Sequence, residues 1–253
     1  MRKYDFIFSV GAACSSTQTL RASDLQRFSN PLDWLYGNDF EGRINLILSH
    51  FERFIQKIDL EYLNLCNGDV HNLCGIYHNK FNDITFNHDF QYGVPLEESY
   101  NKVKEKYDRR IARLYASIKS AQRILIGYLE TPNTAEKLPN NDILISCLQK
   151  IKAQYPEKEF NLLYFTNDSH FEPLQYKEEH LSNEIIKVTG NYKDLNKGAP
   201  DYTVNLKFFK RYYSQYSLNS SLQYKLKRFF TKIFVKSIPV KSVRRRLKTK
   251  YHV

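Results

Sequence analysis

The stretch from Glu97 to Leu129 constrains the fold most. Val103, Tyr107, Ile111, Leu114, Ile118 and Ala121 recur at steps of three or four residues with charges between them, which predicts an amphipathic helix over Glu97–Ala121. It leads directly into Arg123–Leu129 (RILIGYL), an apolar run of strand length. Two similar runs, Tyr4–Val10 (YDFIFSV) and Phe160–Thr166 (FNLLYFT), predict further buried strands, and Glu184–Thr189 (EIIKVT) a fourth. Helices are predicted over Ser15–Leu25, over Glu41–Ile58 from the spacing of Ile44, Ile47, Leu48, Phe51, Phe54, Ile55 and Ile58, and over Asn141–Tyr155, stopped by Pro156. Buried strands alternating with helices imply an α/β fold: a mostly parallel sheet with helices on both faces, in a Rossmann-like three-layer arrangement. The segment Glu61–Phe90 is rich in Asn, Asp and His and offers only short β-like pieces, around Gly75–Tyr77 and Asp83–Phe86.

Charge divides the chain. Of 38 Lys/Arg, 14 fall between Tyr202 and Val253, together with none of the 27 Asp/Glu, so the first 201 residues are net −3 within a chain of net +11. The expected organisation is an α/β body over residues 1–201 and a basic, helical tail over 202–253, in two pieces split near Asn219-Ser220-Ser221. No apolar run is long enough for a transmembrane helix. The opening MRKYDFIFSVGAACSS imitates an export signal ending at a lipidated Cys14, but Phe6–Ala13 is barely long enough, Asp5 interrupts its approach and Gly11 stands where such signals place Leu. The four cysteines, Cys14, Cys66, Cys74 and Cys147, are scattered. Cys66 and Cys74 lack zinc-knuckle spacing, so a reduced, cytoplasmic protein without metal or cofactor is expected.

Cys14 follows the first strand and opens a helix, at the carboxyl edge where ligands sit in open α/β sheets. A helix N-terminus there favours thiolate. Gly11 and its small neighbours let a substrate approach the backbone, and amides around Ala13–Ser15 could hold an oxyanion or a phosphate. The alternative is a small buried cysteine. Asp33 stands beside Trp34, the only tryptophan, and could orient a base or simply cap a turn. His88 is the candidate base, because the imidazole is the side chain suited to proton transfer at neutral pH, with Asp89 its neighbour and Asp33 or Asp168 the other candidate orienters; its bland reading is a surface histidine. Arg109 and Arg110 could clamp a carboxylate or phosphate or form a solvated helix face. Asp168 ends the third strand on the Cys14 edge, in what could equally be a turn.

Several of these motifs together resemble a bacterial family classed as papain-like cysteine peptidases, often encoded among surface-polysaccharide and glycosyltransferase genes. That family's pattern is, in outline, Ser-Leu-Gly, two residues, Cys, then Leu-Arg and Pro-Phe-Asp-Trp. Ser9, Gly11 and Cys14 match its opening, Pro31, Asp33 and Trp34 match with Leu32 replacing Phe, and His88, Asp89 and Phe90 match, as do Tyr107, Arg109 and Arg110. Leu20 and Arg21 come earlier than the family's Leu-Arg. The resemblance spans residues 4–170 and implies a Cys14 nucleophile partnered by His88. The residues themselves add Asp33 and Asp89 as candidate carboxylates and place Gly11, Ser15, Trp34, Arg109, Arg110 and Asp168 as candidates toward the substrate.

Three function classes follow. The first is a cysteine-nucleophile hydrolase or acyl transferase linked, through the resemblance, to surface-polysaccharide or lipid-linked glycan assembly. The second is a glycosyl- or phospho-group transferase using Asp33, His88, Asp168 and the arginines without a covalent step. The third is a non-catalytic membrane-associated partner of a glycan assembly complex. In the tail, Leu222, Leu226, Phe229, Phe230, Ile233 and Phe234 form a helical stripe among Lys225, Arg228 and Lys232, followed by Arg244, Arg245 and Arg246. Apolar residues opposite Lys/Arg predict an anionic membrane as partner, at the inner face of the cell membrane. The competing readings are a helix packed on the body and, more weakly, nucleic acid, since no nucleic-acid module accompanies the charge.

Overall fold

A computed structural model describes residues 1–67, 73–130, 140–194 and 204–219, with residues 230, 231, 233–235 and 237 of the tail. The main sheet has five strands: β2 (Phe6–Ser9), β7 (Arg123–Leu129), β8 (Glu159–Asn167), β10 (Ile185–Gly190) and β9 (Tyr176–His180), in that spatial order. β2, β7, β8 and β10 are mutually parallel, with Phe6 opposite Ile124, Arg123 opposite Glu159 and Ile185 opposite Leu162, and only the edge strand β9 is antiparallel. The three buried runs and the fourth strand of the sequence reading are all present. β9 was not anticipated, because YKEEH is charged and exposed throughout, a composition suited to an edge that must not pair further.

Alternation along the strands feeds two separate cores. Phe6, Phe8, Ile124, Ile126, Leu162 and Tyr164 join one cluster with α2 (Phe40–Leu48), α3 (Leu96–Ser120) and α4 (Asn141–Gln154). Ile7, Leu125, Leu163, Phe165 and Val188 join the other, with Leu20 of α1 (Cys14–Ala22) and the rings of α5 (Leu206–Tyr213). A strand buried on both sides therefore shows no polar alternation, and that is why the sequence displayed unbroken apolar runs.

The expected helix Glu41–Ile58 ends at Leu48. His50, Phe51 and Arg53 take positive φ, and the Asn79 side-chain amide donates to the carbonyls of Arg53 and Phe54 at 2.9 and 3.1 Å. Phe51, Phe54 and Ile55 stay buried on these turns while Ile58 is exposed, so the apolar spacing reported burial and not helix length. The first predicted strand is broken too. β1 (Arg2–Tyr4) separates from β2 at Asp5, whose carboxylate accepts from the amides of Gln122 and Arg123.

Residues Leu60–Gln91, which read as mostly irregular, form an antiparallel sheet. Its strands β4 (Leu60–Asn67), β5 (Cys74–Asn79) and β6 (Ile84–Gln91) lie beside the short β3 (Leu35–Tyr36) in the order β3-β6-β5-β4. Register shifts interrupt β4 against β5 and β5 against β6, which breaks the period-two pattern that would have revealed them. Tyr77, Ile84, Phe86 and Phe90 bring this sheet onto the α3 side of the main core.

The basic C-terminal stretch opens with α5, then β11 (Tyr216–Leu218), which pairs parallel with β1. A strand thus stands at the end of what was expected to be the first of two helical pieces. On α5, Phe208, Phe209, Tyr212 and Tyr213 are buried and Lys207, Lys210 and Arg211 are exposed, so this piece packs on the body with a basic outer face. Further on, Phe230, Ile233 and Phe234 are exposed while Val235 is buried. Lys225, Arg228, Phe229, Lys232, Arg244, Arg245 and Arg246 lie outside the described residues.

Candidate active site

Cys14 is the first residue of α1 and is partly exposed, at the carboxyl edge of the parallel strands. Ala13, at the cap position, has no side chain to bond the first-turn amides, and no acidic residue occupies that turn. The amides of Cys14 and Ser15 thereby lie in the first turn, where backbone N–H groups have no intrahelical acceptor. The loop before the cysteine is tightly held: Ser9 Oγ donates to Ser16 Oγ at 2.7 Å and accepts from Gly11 N at 3.0 Å. A Cβ on Gly11 would lie 2.2 Å from Ser16 Cβ and Oγ, so only glycine fits there. Ser15 is buried beside it. The group within hydrogen-bonding range of Cys14 Sγ is the Tyr36 hydroxyl, at 3.9 Å.

One side chain fixes this loop. Arg43, on the buried face of α2, is fully buried and donates Nη1 to Gly11 O at 2.5 Å and Nη2 to Leu35 O at 2.9 Å, Gly37 O at 2.8 Å and Ala12 O at 3.3 Å, with Nε to Gly37 O at 3.1 Å. A single guanidinium thus joins the nucleophile loop to β3. Burial lowers its pKa to about 10, opposed by Tyr128, Asp39 and Glu130, so it stays charged at neutral pH. Glu130 follows β7 on the same sheet edge, is itself buried, and accepts a hydrogen bond from Tyr164, whose ring stacks on Tyr128 at 4.9 Å.

Asp33 is buried and serves the loop that carries Trp34. Gln26 Nε2 donates to Asp33 Oδ2 at 2.5 Å and Asn30 N at 2.7 Å, and Arg21 Nη2 lies 3.7 Å away. Burial raises its pKa from 3.8 to about 6, against the pull of the Thr17 hydroxyl, the Asn30 amide, Arg21 and Arg110. Trp34 is half-buried beneath the Arg21 guanidinium, 4.9 Å from the ring centre.

His88 is exposed on β6, the strand paired with β3, three residues beyond Thr85, which stands opposite Tyr36. The thiol's neighbour in this structure is Tyr36 and not His88, so the expected direct Cys14–His88 hydrogen bond is not formed; catalytic hydrogen bonds commonly tighten only with substrate. Asp89 is bound to α3, where Tyr107 Oη donates to it at 2.8 Å and Lys106 forms an ion pair with it. Asp33 and Asp89, two of the three candidate orienters of His88, therefore have structural engagements of their own. Asp168 accepts from His170 N at 2.9 Å and from the His170 ring at 2.8 Å, bonds that lower its pKa. One strand, β7, lies between its strand β8 and β2, two strand spacings or on the order of 10 Å. Arg109 is exposed on α3, and Arg110 lies over the Tyr107 ring at 5.2 Å.

A family model described as "Putative papain-like cysteine peptidase (DUF1796)" matches residues 5–169. The chain belongs to this family. The match includes Cys14, Asp33, Arg43, His88 and Glu130 and ends just past β8, so the papain-like peptidase family model leaves out β9, β10, α5 and β11. No curated protein and no solved structure matches the chain. Membership suggests a cysteine-based hydrolase, and among the described residues no helix is long and apolar enough to cross a membrane.

Sequence reasoning missed Arg43, Tyr36 and Glu130. Arg43 had a readable trace: it shares the helical stripe of Phe40, Ile44 and Ile47, where an apolar residue was due. Tyr36 and Glu130 had none, as one lies in a two-residue strand and the other just past the end of β7.

Replacing Arg43 by Met leaves several buried carbonyls without donors. We expect a loss of about 3 kcal/mol or more of stability in urea unfolding, and an accompanying change in the rate of Cys14 alkylation; an unchanged urea midpoint would refute the role given to Arg43. For Asp33, the folded state holds a proton more tightly than the unfolded chain. Its contribution is full below about pH 4 and is lost as pH rises through about 6, an effect on the order of 3 kcal/mol. Urea unfolding of Asp33→Asn between pH 4 and 7 should lack that decline, and parallel wild-type and variant curves would contradict the assignment.

Proposed function

We propose that the protein is a cysteine-nucleophile enzyme acting on an acyl carbonyl, as a hydrolase or an acyl transferase. The observation that supports it is the placing of Cys14 at the uncapped start of α1, beside the Tyr36 hydroxyl and in a loop that Arg43 and Ser9 hold rigid. Family membership supports the cysteine chemistry.

In this reading His88 takes the thiol proton, directly or through one water, and Cys14 Sγ attacks the carbonyl carbon. The carbonyl oxygen becomes an oxyanion held by the Cys14 and Ser15 amides. The bond to the leaving group breaks as His88 returns the proton to it. Water then frees the acyl group from the thioester, or an alcohol or amine acceptor takes it. The expected test uses an activated ester such as p-nitrophenyl acetate. Wild-type enzyme should give a burst and a mass increase of one acetyl group on Cys14. Cys14→Ser should abolish both, and His88→Ala should lower the acylation rate on the order of 10²–10⁴-fold. Acylation mapped to Cys66 or Cys74, or full activity in Cys14→Ser, would favour a transferase acting without a covalent step.

The tail reading extends this proposal: an anionic membrane surface, where lipid-linked glycans are assembled, is the partner of the basic stretch beyond Asn219. Exposed Phe230, Ile233 and Phe234 support it. Since α5 and β11 belong to the packed body, the informative truncation ends at Asn219. The full chain should float with liposomes of anionic lipid and the truncated chain should not; equal flotation would refute the tail as anchor.

A further inference from the structure

Three arginines from two helices converge beside the Cys14 face. Arg21 lies on α1 seven residues after Cys14, which is two helical turns, the same side and about 10 Å along the axis. Arg110 and Arg113 lie one turn apart on α3. Each guanidinium lies over an aromatic ring: Arg21 on Trp34 at 4.9 Å, Arg110 on Tyr107 at 5.2 Å and Arg113 on Phe28 at 4.4 Å. Stacking of this kind fixes a guanidinium plane and shields its face while leaving the N–H edge available. Ser29 links two of them, its hydroxyl accepting from Arg21 Nη2 at 2.6 Å and its carbonyl from Arg113 Nη2 at 2.6 Å.

The cluster is short of negative charge. Its facing carboxylate is Asp33, which lies 3.7 Å from Arg21 and spends its closer contacts on Gln26 and Asn30. Asp89, on the far side of Tyr107, is paired with Lys106. Buried Arg21 Nε and Arg110 Nη1 have no acceptor. Burial lowers the pKa of Arg21, as does repulsion from Arg110 and Arg113, against the pull of Asp33; burial and then Arg110 lower that of Arg113, again against Asp33. Like charges held together by stacking, with donors in excess, are relieved by a multiply charged anion that accepts in several directions, and phosphate fits that description better than a single carboxylate.

We propose that Arg21, Arg110 and Arg113 form a binding site for a phosphate group. Its position on the Cys14 side of α1 makes it the anchor for a phosphate-bearing acyl substrate, a step that rests on the proposed function, whereas the binding itself does not.

Trp34 is the only tryptophan and lies under Arg21, so its emission reports this site directly. The full-length protein is titrated with pyrophosphate at constant ionic strength. A saturable change in Trp34 emission is expected, with the dissociation constant raised at least tenfold in Arg110→Gln and in Arg113→Gln and unchanged in Cys14→Ser. Because a glutamine variant could lose its fold, wild-type protein is also modified with phenylglyoxal and mapped; pyrophosphate should protect Arg21, Arg110 and Arg113. Vesicles containing phosphatidic acid form a second arm. Their ability to displace pyrophosphate assigns a lipid headgroup, and their failure to do so assigns a soluble phosphate compound. No saturable emission change, an unchanged constant in both arginine variants, or protection confined to other arginines overturns the site.

Discussion

The Arg43 guanidinium is the contact on which the site depends. Removing a charge from water costs several kcal/mol, and the cost is recovered only when its hydrogen bonds are made. Here the acceptors are backbone carbonyls of Gly11, Ala12, Leu35 and Gly37. Two segments that lack regular structure, the loop before Cys14 and the approach to β3, thereby acquire the fixed geometry of a core. Buried Glu130 and Tyr128 lie close enough to influence the charge of Arg43. The position of the loop before Cys14 is thus set from α2, through backbone carbonyls and not through side chains beside the thiol.

The same logic explains why two sheets are needed. The parallel sheet supplies Cys14 at its carboxyl edge, and the antiparallel sheet brings Tyr36 up to it, with His88 on the strand paired to that of Tyr36. Neither sheet alone holds both a nucleophile and a candidate base. Phe54, Phe86 and Tyr107, at centroid distances of 5.3–5.7 Å, pack the antiparallel sheet against α3 on the side of the main core.

Much of this was legible in the sequence, for identifiable reasons. The strands around Ile7, Ile126, Leu163 and Val188 were readable because both faces are buried, and α3 because one face is wet along its whole length. The antiparallel sheet was hidden by its bulges, and the end of α2 by the fact that Phe51 and Phe54 stay buried on turns. Cys14 was legible from strand-then-helix order. The true partners of Asp33 and Asp89 were not, since Gln26 and Lys106 approach them only in three dimensions.

The pairing of β1 with β11 has a consequence in time. Tyr4 lies opposite Leu218, and Asn219 N donates to Tyr4 O at 2.7 Å. During synthesis at about 5–20 residues per second, β1 waits on the order of 10–40 s for its partner strand to leave the ribosome. The α5 rings that cover Phe165 emerge just before it. Until then the Leu20 face of α1 and the sheet beneath it lack part of their apolar cover. The newborn chain therefore carries the Cys14 loop, with its Arg43 bonds already available, over a core that only the last-made rings complete.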